Sequence, residues 1–256
     1  MKEEKPRGRF VWYDLMTTDP AKAVEFYTKL VGWGTTQWEG GSPYTMWTVS
    51  SVPIGGVMQL PPESGAPPHW LAYISSPDTD ATVKQAEGLG AKTLVAANDV
   101  PTVGRFAVMS DPQGAVFAIF TPLAAAPGHE GAATVGEFSW HELATLEQPA
   151  AFRFYEMLFG WKKTTAMDMG EIGTYQMYGR NDIELGGIFN KPPQMPGPPA
   201  WTHYILVDDI NRAAEAAKAG GGQIINGPME VPGGDWIFQG IDPQGAMFAV
   251  HAKAKA

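Results

Sequence analysis

The chain has 256 residues, of which 44% are apolar and 18% charged, and its 18 basic and 27 acidic residues give a formal net charge of −9. This acidic balance disfavours a nucleic-acid-binding surface, because phosphate contacts need clustered Lys and Arg. The absence of cysteine excludes disulfides, thiolate nucleophiles and Cys-ligated metals. No apolar stretch approaches the roughly 18 residues of a membrane span, so we expect a cytoplasmic protein without a membrane partner.

The chain begins with a predicted strand, a helix and three further strands. An apolar strand over 10–16 contains one acidic residue, Asp14. Asp19 and Pro20 then open a helix, because Asp caps free N–H groups and Pro fits the first helical position. Gly32 ends this helix, since glycine readily adopts the left-handed conformation that follows a helix. Three short strands complete a β-α-β-β-β order.

The same order then repeats before a linker. A strand at 69–75, a helix at 78–89 and three short strands up to Phe120 make a second β-α-β-β-β unit. Residues 122–135 are small, rich in Pro and Gly and without periodicity, which is typical of a linker between domains. The pattern therefore predicts a first domain over 9–121.

The remainder of the chain repeats the first domain. A turn with the sequence Asp-Pro-Gln-Gly begins at Asp111 and returns at Asp242, in each case between two apolar strands. The motif Phe-Tyr-x-x-Leu-x-Gly-Trp occurs at 26–33 and again at 154–161. Such sustained register indicates a tandem duplication, with a second domain at 136–252. We predict an α+β fold of two tandem domains, each a pair of βαβββ units, four units in all.

The combination of the Phe-Tyr-x-x-Leu-x-Gly-Trp helix end and the Asp-Pro-x-Gly turn resembles the vicinal oxygen chelate superfamily. That superfamily includes glyoxalase I, bleomycin-resistance proteins and extradiol dioxygenases. Within it, the sequence is most similar to two-domain bacterial glyoxalase-like proteins that are labelled hydroxylases. The resemblance covers 10–121 and 138–251, and it implies that each pair of βαβββ units curls into a half-barrel around a cavity.

The resemblance also implies a divalent metal held by His, Gln or Glu, and here the sequence departs from the family. Indole and methyl groups offer no lone pair to zinc, nickel or iron. We therefore expect no metal and no other cofactor. The positions that correspond to the ligands are Trp12, Leu71 and Ala118 in the first domain and Trp140, Thr202 and Ala249 in the second, with Glu184 as the one candidate for the fourth strand.

Two acidic residues are the candidate catalytic groups. If Trp12 points into a cavity, strand alternation directs Asp14 the same way, and Trp140 and Glu142 repeat this pair. A carboxylate beside indole loses hydration, which suits a general acid or base. The alternative is a structural role, in which the acid pairs with Arg105 or accepts hydrogen bonds from backbone groups and Tyr hydroxyls.

Aromatic, thioether and charged residues on the other strands are candidates for ligand binding. The tyrosines and methionines recur in both domains, where core packing explains them as well as ligand stacking does. Arg105 suits an anionic group, whereas Trp236 offers a π-face at the corresponding position. The candidate ligand-binding set is Trp12, Tyr44, Met46, Arg105, Trp140, Tyr175, Met177 and Trp236.

These observations favour a glyoxalase-like protein that binds a small organic molecule in aromatic and acidic cavities. The family resemblance favours a metal-independent lyase or isomerase, whereas the missing metal ligands favour sequestration of a drug or metabolite without turnover, as in bleomycin-resistance proteins. A protein–protein role with vestigial cavities is a third interpretation. Because duplication supplies a partner within the chain, we expect a monomer in which the two domains pair with each other.

Overall fold

The computed structural model describes residues 6–40, 43–124 and 127–254. In these residues the β-α-β-β-β order occurs four times, as predicted, and two short 3-10 helices lie at Pro62–Ser64 and Gly170–Ile172. The first unit contains β1 (Phe10–Thr17), α1 (Pro20–Val31), β2 (Gly34–Gln37), β3 (Thr45–Val49) and β4 (Val52–Gln59). The second contains β5 (His69–Ser75), α2 (Thr79–Gly88), β6 (Lys92–Val100), β7 (Gly104–Ser110) and β8 (Val116–Pro122).

The second half of the chain has the same elements. The third unit contains β9 (Phe138–Thr145), α3 (Gln148–Phe159), β10 (Lys162–Asp168), β11 (Thr174–Arg180) and β12 (Ile183–Asn190). The fourth contains β13 (Ala200–Val207), α4 (Ile210–Ala219), β14 (Gln223–Glu230), β15 (Trp236–Ile241) and β16 (Met247–Ala252). None of the helices in the described residues has the length and hydropathy that crossing a bilayer requires.

The strands form two mixed sheets of eight strands with the same order. The first sheet runs β2-β3-β4-β1-β5-β8-β7-β6 and the second runs β10-β11-β12-β9-β13-β16-β15-β14. The parallel pairs include β1 with β4 and β5 with β8 in the first sheet, and β12 with β9 and β13 with β16 in the second. The predicted α+β fold and its duplication are therefore confirmed.

The predicted ends of α1 are also confirmed. The Asp19 carboxylate accepts a hydrogen bond from the Lys22 N–H at 3.1 Å and so caps the helix. Gly32 follows the helix in the left-handed conformation, with φ of 75°. Local residue chemistry thus sets the bounds of this helix.

Backbone contacts divide the described residues into two compact bodies. The first body, called the inner body because its units are the middle ones in the order of the sequence, combines most of the second and third βαβββ units. It comprises the described residues of Met1–Trp12, Ala72–His129 and His141–Trp201. The outer body comprises those of Tyr13–Leu71, Glu130–Trp140 and Thr202–Ala256, mostly the first and fourth units. Each body therefore takes one βαβββ unit from each half of the sequence. The predicted domains at 9–121 and 136–252 follow the sequence repeat and stay predictions.

Buried aromatic rings form the core of the outer body. The Trp33 and Trp47 rings lie 5.3 Å apart, and Tyr27 meets Trp70 edge to face at 5.2 Å. Both buried indoles find acceptors, because Trp33 Nε1 donates to the Gly136 carbonyl at 2.6 Å and Trp47 Nε1 to a β4 carbonyl at 2.7 Å. Large side chains thus contribute apolar area without leaving polar atoms unpaired.

The inner body has the equivalent core. The Trp161 ring stacks on Tyr178 at 4.4 Å, and Tyr155 meets Trp201 edge to face at 5.2 Å. Trp161 Nε1 donates to the Gly8 carbonyl at 2.7 Å. The tryptophan that ends the helix motif therefore packs the same way in both bodies.

A buried chain of hydrogen bonds connects the two repeated motifs in the outer body. Trp70 Nε1 donates to the Tyr27 hydroxyl at 3.1 Å, and this hydroxyl donates to Asp242 Oδ2 at 3.1 Å. The other oxygen, Asp242 Oδ1, accepts from the Gln244 and Ala246 N–H groups at 2.9 Å each, which closes the Asp-Pro-Gln-Gly turn. Burial raises the pKa of both Tyr27 and Asp242, and the N–H donors oppose the rise at Asp242.

The inner body repeats this chain with the halves of the sequence exchanged. Trp201 Nε1 donates to the Tyr155 hydroxyl at 3.1 Å, which donates to Asp111 Oδ2 at 3.0 Å. Asp111 Oδ1 accepts from the Gln113 and Ala115 N–H groups at 2.8 and 2.9 Å. In both bodies, therefore, the helix motif of one half is bound to the turn motif of the other half.

We predict that Tyr27→Phe and Tyr155→Phe each lower the free energy of unfolding by about 1.5–3 kcal/mol, because each removes a donor from a buried carboxylate and an acceptor from a half-buried indole. Urea denaturation measures this loss. Tyr178→Phe is the matched control, since the Tyr178 hydroxyl donates at 2.9 Å to the backbone carbonyl of His141, which is an uncharged acceptor. Its loss should be smaller, about 0.5–1.5 kcal/mol. Equal losses at all three positions would contradict the role of the carboxylates.

Candidate functional site

The outer body brings the predicted catalytic residue Asp14 together with Tyr44. Asp14 of β1 lies opposite Gly56 of β4, and Met46 of β3 lies opposite the same glycine on its other side. The Tyr44 hydroxyl donates to Asp14 Oδ1 at 2.5 Å. Asp14 is only 4% exposed, so its carboxylate is held mainly by protein groups.

Two adjacent glycines make this contact possible. A Cβ on Gly56 would lie 2.1 Å from Tyr44 Cζ and 2.0 Å from its hydroxyl oxygen, so the phenol ring lies directly over the glycine. A Cβ on Gly55 would lie 2.0 Å from the Tyr13 carbonyl oxygen of the neighbouring strand. Gly55 thus allows the close approach of β1 and β4, and Gly56 provides the space in which Tyr44 reaches Asp14.

The inner body contains the same arrangement. Glu142 of β9 and Met177 of β11 both lie opposite Gly187 of β12. The Tyr175 hydroxyl donates to Glu142 Oε2 at 2.9 Å, and a Cβ on Gly187 would lie 2.1 Å from the Tyr175 ring. The two carboxylate–tyrosine pairs are therefore equivalent. The sequence repeat contains both Gly-Gly pairs, but only the backbone geometry reveals what they do.

Two tryptophans and two methionines of the predicted set lie near these pairs on the same or neighbouring strands, namely Trp12, Met46, Trp140 and Met177. Strand alternation places Trp12 on the same face of β1 as Asp14, and Trp140 on the same face of β9 as Glu142. Trp12, Trp140 and Met46 are all half-buried. Each carboxylate–tyrosine pair thus combines an acceptor, a hydroxyl donor and neighbouring apolar side chains.

Arg105 of β7 forms ion pairs with two aspartates of the protein. Its Nε and Nη2 atoms donate to the two oxygens of Asp80 at 2.9 Å each, and Nη1 donates to Asp99 at 3.0 Å. These bonds raise the pKa of Arg105 above its usual value and lower that of Asp80. Carboxylates of the protein already bind the guanidinium that we assigned to an anionic ligand.

Trp236 is the first residue of β15, in the outer body. On β15 it lies opposite Glu230 of β14, and it is 37% exposed.

Two histidines have structural surroundings that no sequence motif indicated. His203 is buried near the Tyr13 ring at 5.7 Å, and burial lowers its pKa to about 3, so its imidazole is neutral in the folded protein at neutral pH. His251 Nδ1 lies 2.8 Å from Ser139 Oγ, and its Nε2 lies 2.8 Å from Asp235 Oδ2. This second set connects the end of β16 to β9 and to the turn before β15.

Comparison with known proteins identifies the family. Residues 11–120 match the family described as "Glyoxalase-like domain", and residues 138–250 match "Glyoxalase/Bleomycin resistance protein/Dioxygenase superfamily". The "Putative glyoxylase CFP32" of Mycobacterium tuberculosis is 34% identical over 97% of this chain and 96% of its own length. The chain belongs to the glyoxalase/bleomycin resistance protein/dioxygenase superfamily. The anthracycline biosynthesis protein DnrV of Streptomyces peucetius is 28% identical over 95% of this chain and 92% of its own length.

Solved structures of the superfamily share the fold at low identity. The Mn(II)-bound glyoxalase of Novosphingobium aromaticivorans aligns over 98% of this chain and 83% of its own, with a TM-score of 0.65 and 17% identity. Homoprotocatechuate 2,3-dioxygenase of Arthrobacter globiformis aligns over 97% of this chain and 80% of its own, with a TM-score of 0.68 and 16% identity. At these identities the likeness establishes the fold of the superfamily.

The residues of this chain do not fit the divalent metal that the superfamily resemblance implies. Ala118 and Ala249 are fully buried, and they lie opposite Tyr73 and Tyr204 in the parallel strand pairs. Glu184 is exposed on β12. Over 6–40, 43–124 and 127–254, no three His, Asp or Glu side chains are grouped so that they could hold a metal ion. We therefore derive no chemistry through a metal.

We predict that Gly56→Ala destabilises the protein by about 1–3 kcal/mol, because the new methyl group overlaps the Tyr44 ring. The penalty should fall close to zero when Gly56→Ala is made in a Tyr44→Ala background, and urea denaturation of the four proteins measures the coupling. Gly88→Ala is the control, because no atom lies within 4 Å of the position of its Cβ. An equal penalty with and without the Tyr44 ring would show that the ring is not what Gly56 accommodates.

Proposed function

We propose that this protein binds a small organic molecule at its two carboxylate–tyrosine pairs, without the metal of the superfamily. The observation that carries this proposal is the repeated geometry, in which Tyr44 reaches Asp14 and Tyr175 reaches Glu142 across a glycine in the same register. Each pair places a carboxylate beside a phenol hydroxyl that fixes its orientation, and of the two carboxylates Glu142 is half-buried and Asp14 is 4% exposed. Such a pair suits a ligand that carries an O–H, N–H or acidic C–H group.

The neighbouring side chains favour an aromatic ligand. The half-buried indoles of Trp12 and Trp140 offer flat apolar faces, and the thioethers of Met46 and Met177 adapt to irregular shapes. The relative named as an anthracycline biosynthesis protein supports the same ligand class, since an anthracycline is a planar polycyclic molecule. We therefore propose polycyclic aromatic compounds as the first ligands to test.

The proposed chemistry is proton transfer by Asp14 and Glu142. A carboxylate that is oriented by a tyrosine hydroxyl can take a proton from a carbon next to a carbonyl and return it elsewhere, which is the work of a metal-independent lyase or isomerase. The similarity to the protein named "Putative glyoxylase CFP32" favours this interpretation. The second candidate is sequestration without turnover, which the poor fit to a metal favours. We also propose that the protein acts in the cytoplasm, as expected from the sequence.

The test separates binding from turnover. We predict that isothermal titration calorimetry detects binding of daunorubicin, and that Asp14→Asn and Glu142→Gln, made together, weaken it by about tenfold or more, because an amide lacks the charge that strengthens hydrogen bonds. Glu184→Gln is the matched control, since Glu184 is exposed on β12 and should leave binding unchanged. Binding that the double variant retains in full would refute the proposed site.

Turnover is measured with methylglyoxal and glutathione as substrates. Consumption that the double variant abolishes and Glu184→Gln preserves would support acid–base catalysis by the pairs. Binding of daunorubicin without consumption of either substrate would support sequestration.

We also propose that the protein is a monomer. Each compact body already combines βαβββ units from both halves of the sequence, so the pairing that a single-domain protein obtains from a second chain is available within this one. Sedimentation equilibrium should give a mass near 27.6 kDa. A species of twice that mass at micromolar concentration would contradict the proposal.

A further inference from the structure

A groove of about 460 Å³ lies in the outer body, where α4 begins and where the turn between the end of β14 and the start of β15 lies. None of the four residues of the carboxylate–tyrosine pairs lines this groove. The side chains that matter for its chemistry are those of Asp208, Asp209, Asn211, Glu230, Trp236 and Lys253.

Two of the three carboxylates in the groove have partners within the chain. Asp208 forms an ion pair with Arg212, and Asp209 caps α4 by accepting hydrogen bonds from backbone N–H groups. Within the part of the chain that the structure describes, the Glu230 carboxylate has neither an ion-pair nor a hydrogen-bond partner. With Arg212 on Asp208 and Lys253 in the lining, two positive charges stand against three carboxylates, which leaves one negative charge in excess. The groove is therefore acidic, and Glu230 is the carboxylate that is open to a ligand.

The first half of the chain has a cation at the corresponding place. With the offset of 131 residues, Arg105 corresponds to Trp236 and Asp99 to Glu230. Asp99 and Arg105 lie opposite each other on β6 and β7, as Glu230 and Trp236 do on β14 and β15. In the first half, Arg105 is bonded to Asp99 at 3.0 Å and to Asp80 on α2. In the second half the carboxylate is kept and its guanidinium is lost.

Two residues that contribute to the ion pair in the first half are replaced in the second half. Trp236 stands where Arg105 would, and 37% of it is exposed. Asn211 corresponds to Asp80 and keeps an oxygen that accepts hydrogen bonds, although without charge. An indole, a carboxylate and an amide oxygen thus line one groove in the second half, where the first half has an ion pair within the chain.

We propose that this groove binds the guanidinium group of a small molecule. The planar cation stacks on the Trp236 indole, pairs with the Glu230 carboxylate and donates to the Asn211 side-chain oxygen. The ligand replaces, from solution, the cation that Arg105 supplies within the chain in the first half. A quaternary ammonium lacks the N–H donors that Glu230 and Asn211 would accept, and an anion would meet the excess of carboxylates.

The experiment uses protein labelled with 5-fluorotryptophan and read by fluorine NMR, with Trp236→Phe to assign the Trp236 resonance. Ethylguanidinium is the probe, and ethylurea is its uncharged analogue of the same shape. We expect ethylguanidinium to shift the Trp236 resonance saturably while ethylurea at the same concentration leaves it in place. Equal shifts by both compounds, or no saturable shift by ethylguanidinium, would overturn the proposal.

Variants of exposed residues test the individual contacts. Glu230→Gln should weaken ethylguanidinium binding by about tenfold, because the charge that strengthens its hydrogen bonds is removed. Asp99→Asn, the matched change in the first half, should leave the Trp236 response unchanged. A Glu230→Gln protein that binds as tightly as the parent would refute the role of this carboxylate.

Trp236→Arg provides the converse test by calorimetry. The introduced side chain should pair with Glu230 as Arg105 pairs with Asp99, and binding of ethylguanidinium should be lost while the free energy of unfolding is kept. Full binding by a folded Trp236→Arg protein would overturn the proposal. Asp14→Asn and Glu142→Gln should not alter this response, so the groove and the carboxylate–tyrosine pairs fail or succeed independently.

Discussion

The hydrogen bond from a helix tyrosine to a turn aspartate is the interaction on which each compact body depends. Tyr27 donates to Asp242 and Tyr155 donates to Asp111, and in both cases helix and turn come from opposite halves of the sequence. A buried carboxylate is unfavourable unless its oxygens are bonded. Here one oxygen closes the turn and the other accepts the tyrosine, so the turn, the helix and the pairing of the two halves are satisfied by the same group. The repeated motifs are thus two parts of one contact.

Around this contact the two halves keep one feature and vary another. The carboxylate–tyrosine pairs are kept, together with the glycines that allow the phenol ring to lie across the sheet. The position of Arg105 and Trp236 varies, and with it the balance between an internal ion pair and an open acidic groove.

The superfamily fold is retained here, although the positions that the resemblance assigns to metal ligands carry other side chains. The strand after the Asp-Pro-Gln-Gly turn delivers buried alanines, Ala118 and Ala249, where the resemblance implies a metal ligand. On the neighbouring strands, each body has a carboxylate that accepts a hydrogen bond from a tyrosine hydroxyl. The turn therefore builds the sheet with an alanine at this position of the next strand, and does not need a coordinating side chain there.

The sequence alone determined the local and the periodic features of this protein. Proline and glycine restrict or release backbone angles, so the bounds of α1 and the two turns were predictable, and the repeat predicted four βαβββ units. Strand alternation also placed Asp14 and Trp12 on one face. Only the tertiary structure decided which distant groups meet. Tyr27 bonds to Asp242, which is far away in the chain. The Tyr44 ring lies over Gly56, and Arg105 forms an ion pair with Asp80, in each case between different elements. Periodicity specifies the face on which a side chain lies, but its partner is decided by how the elements pack.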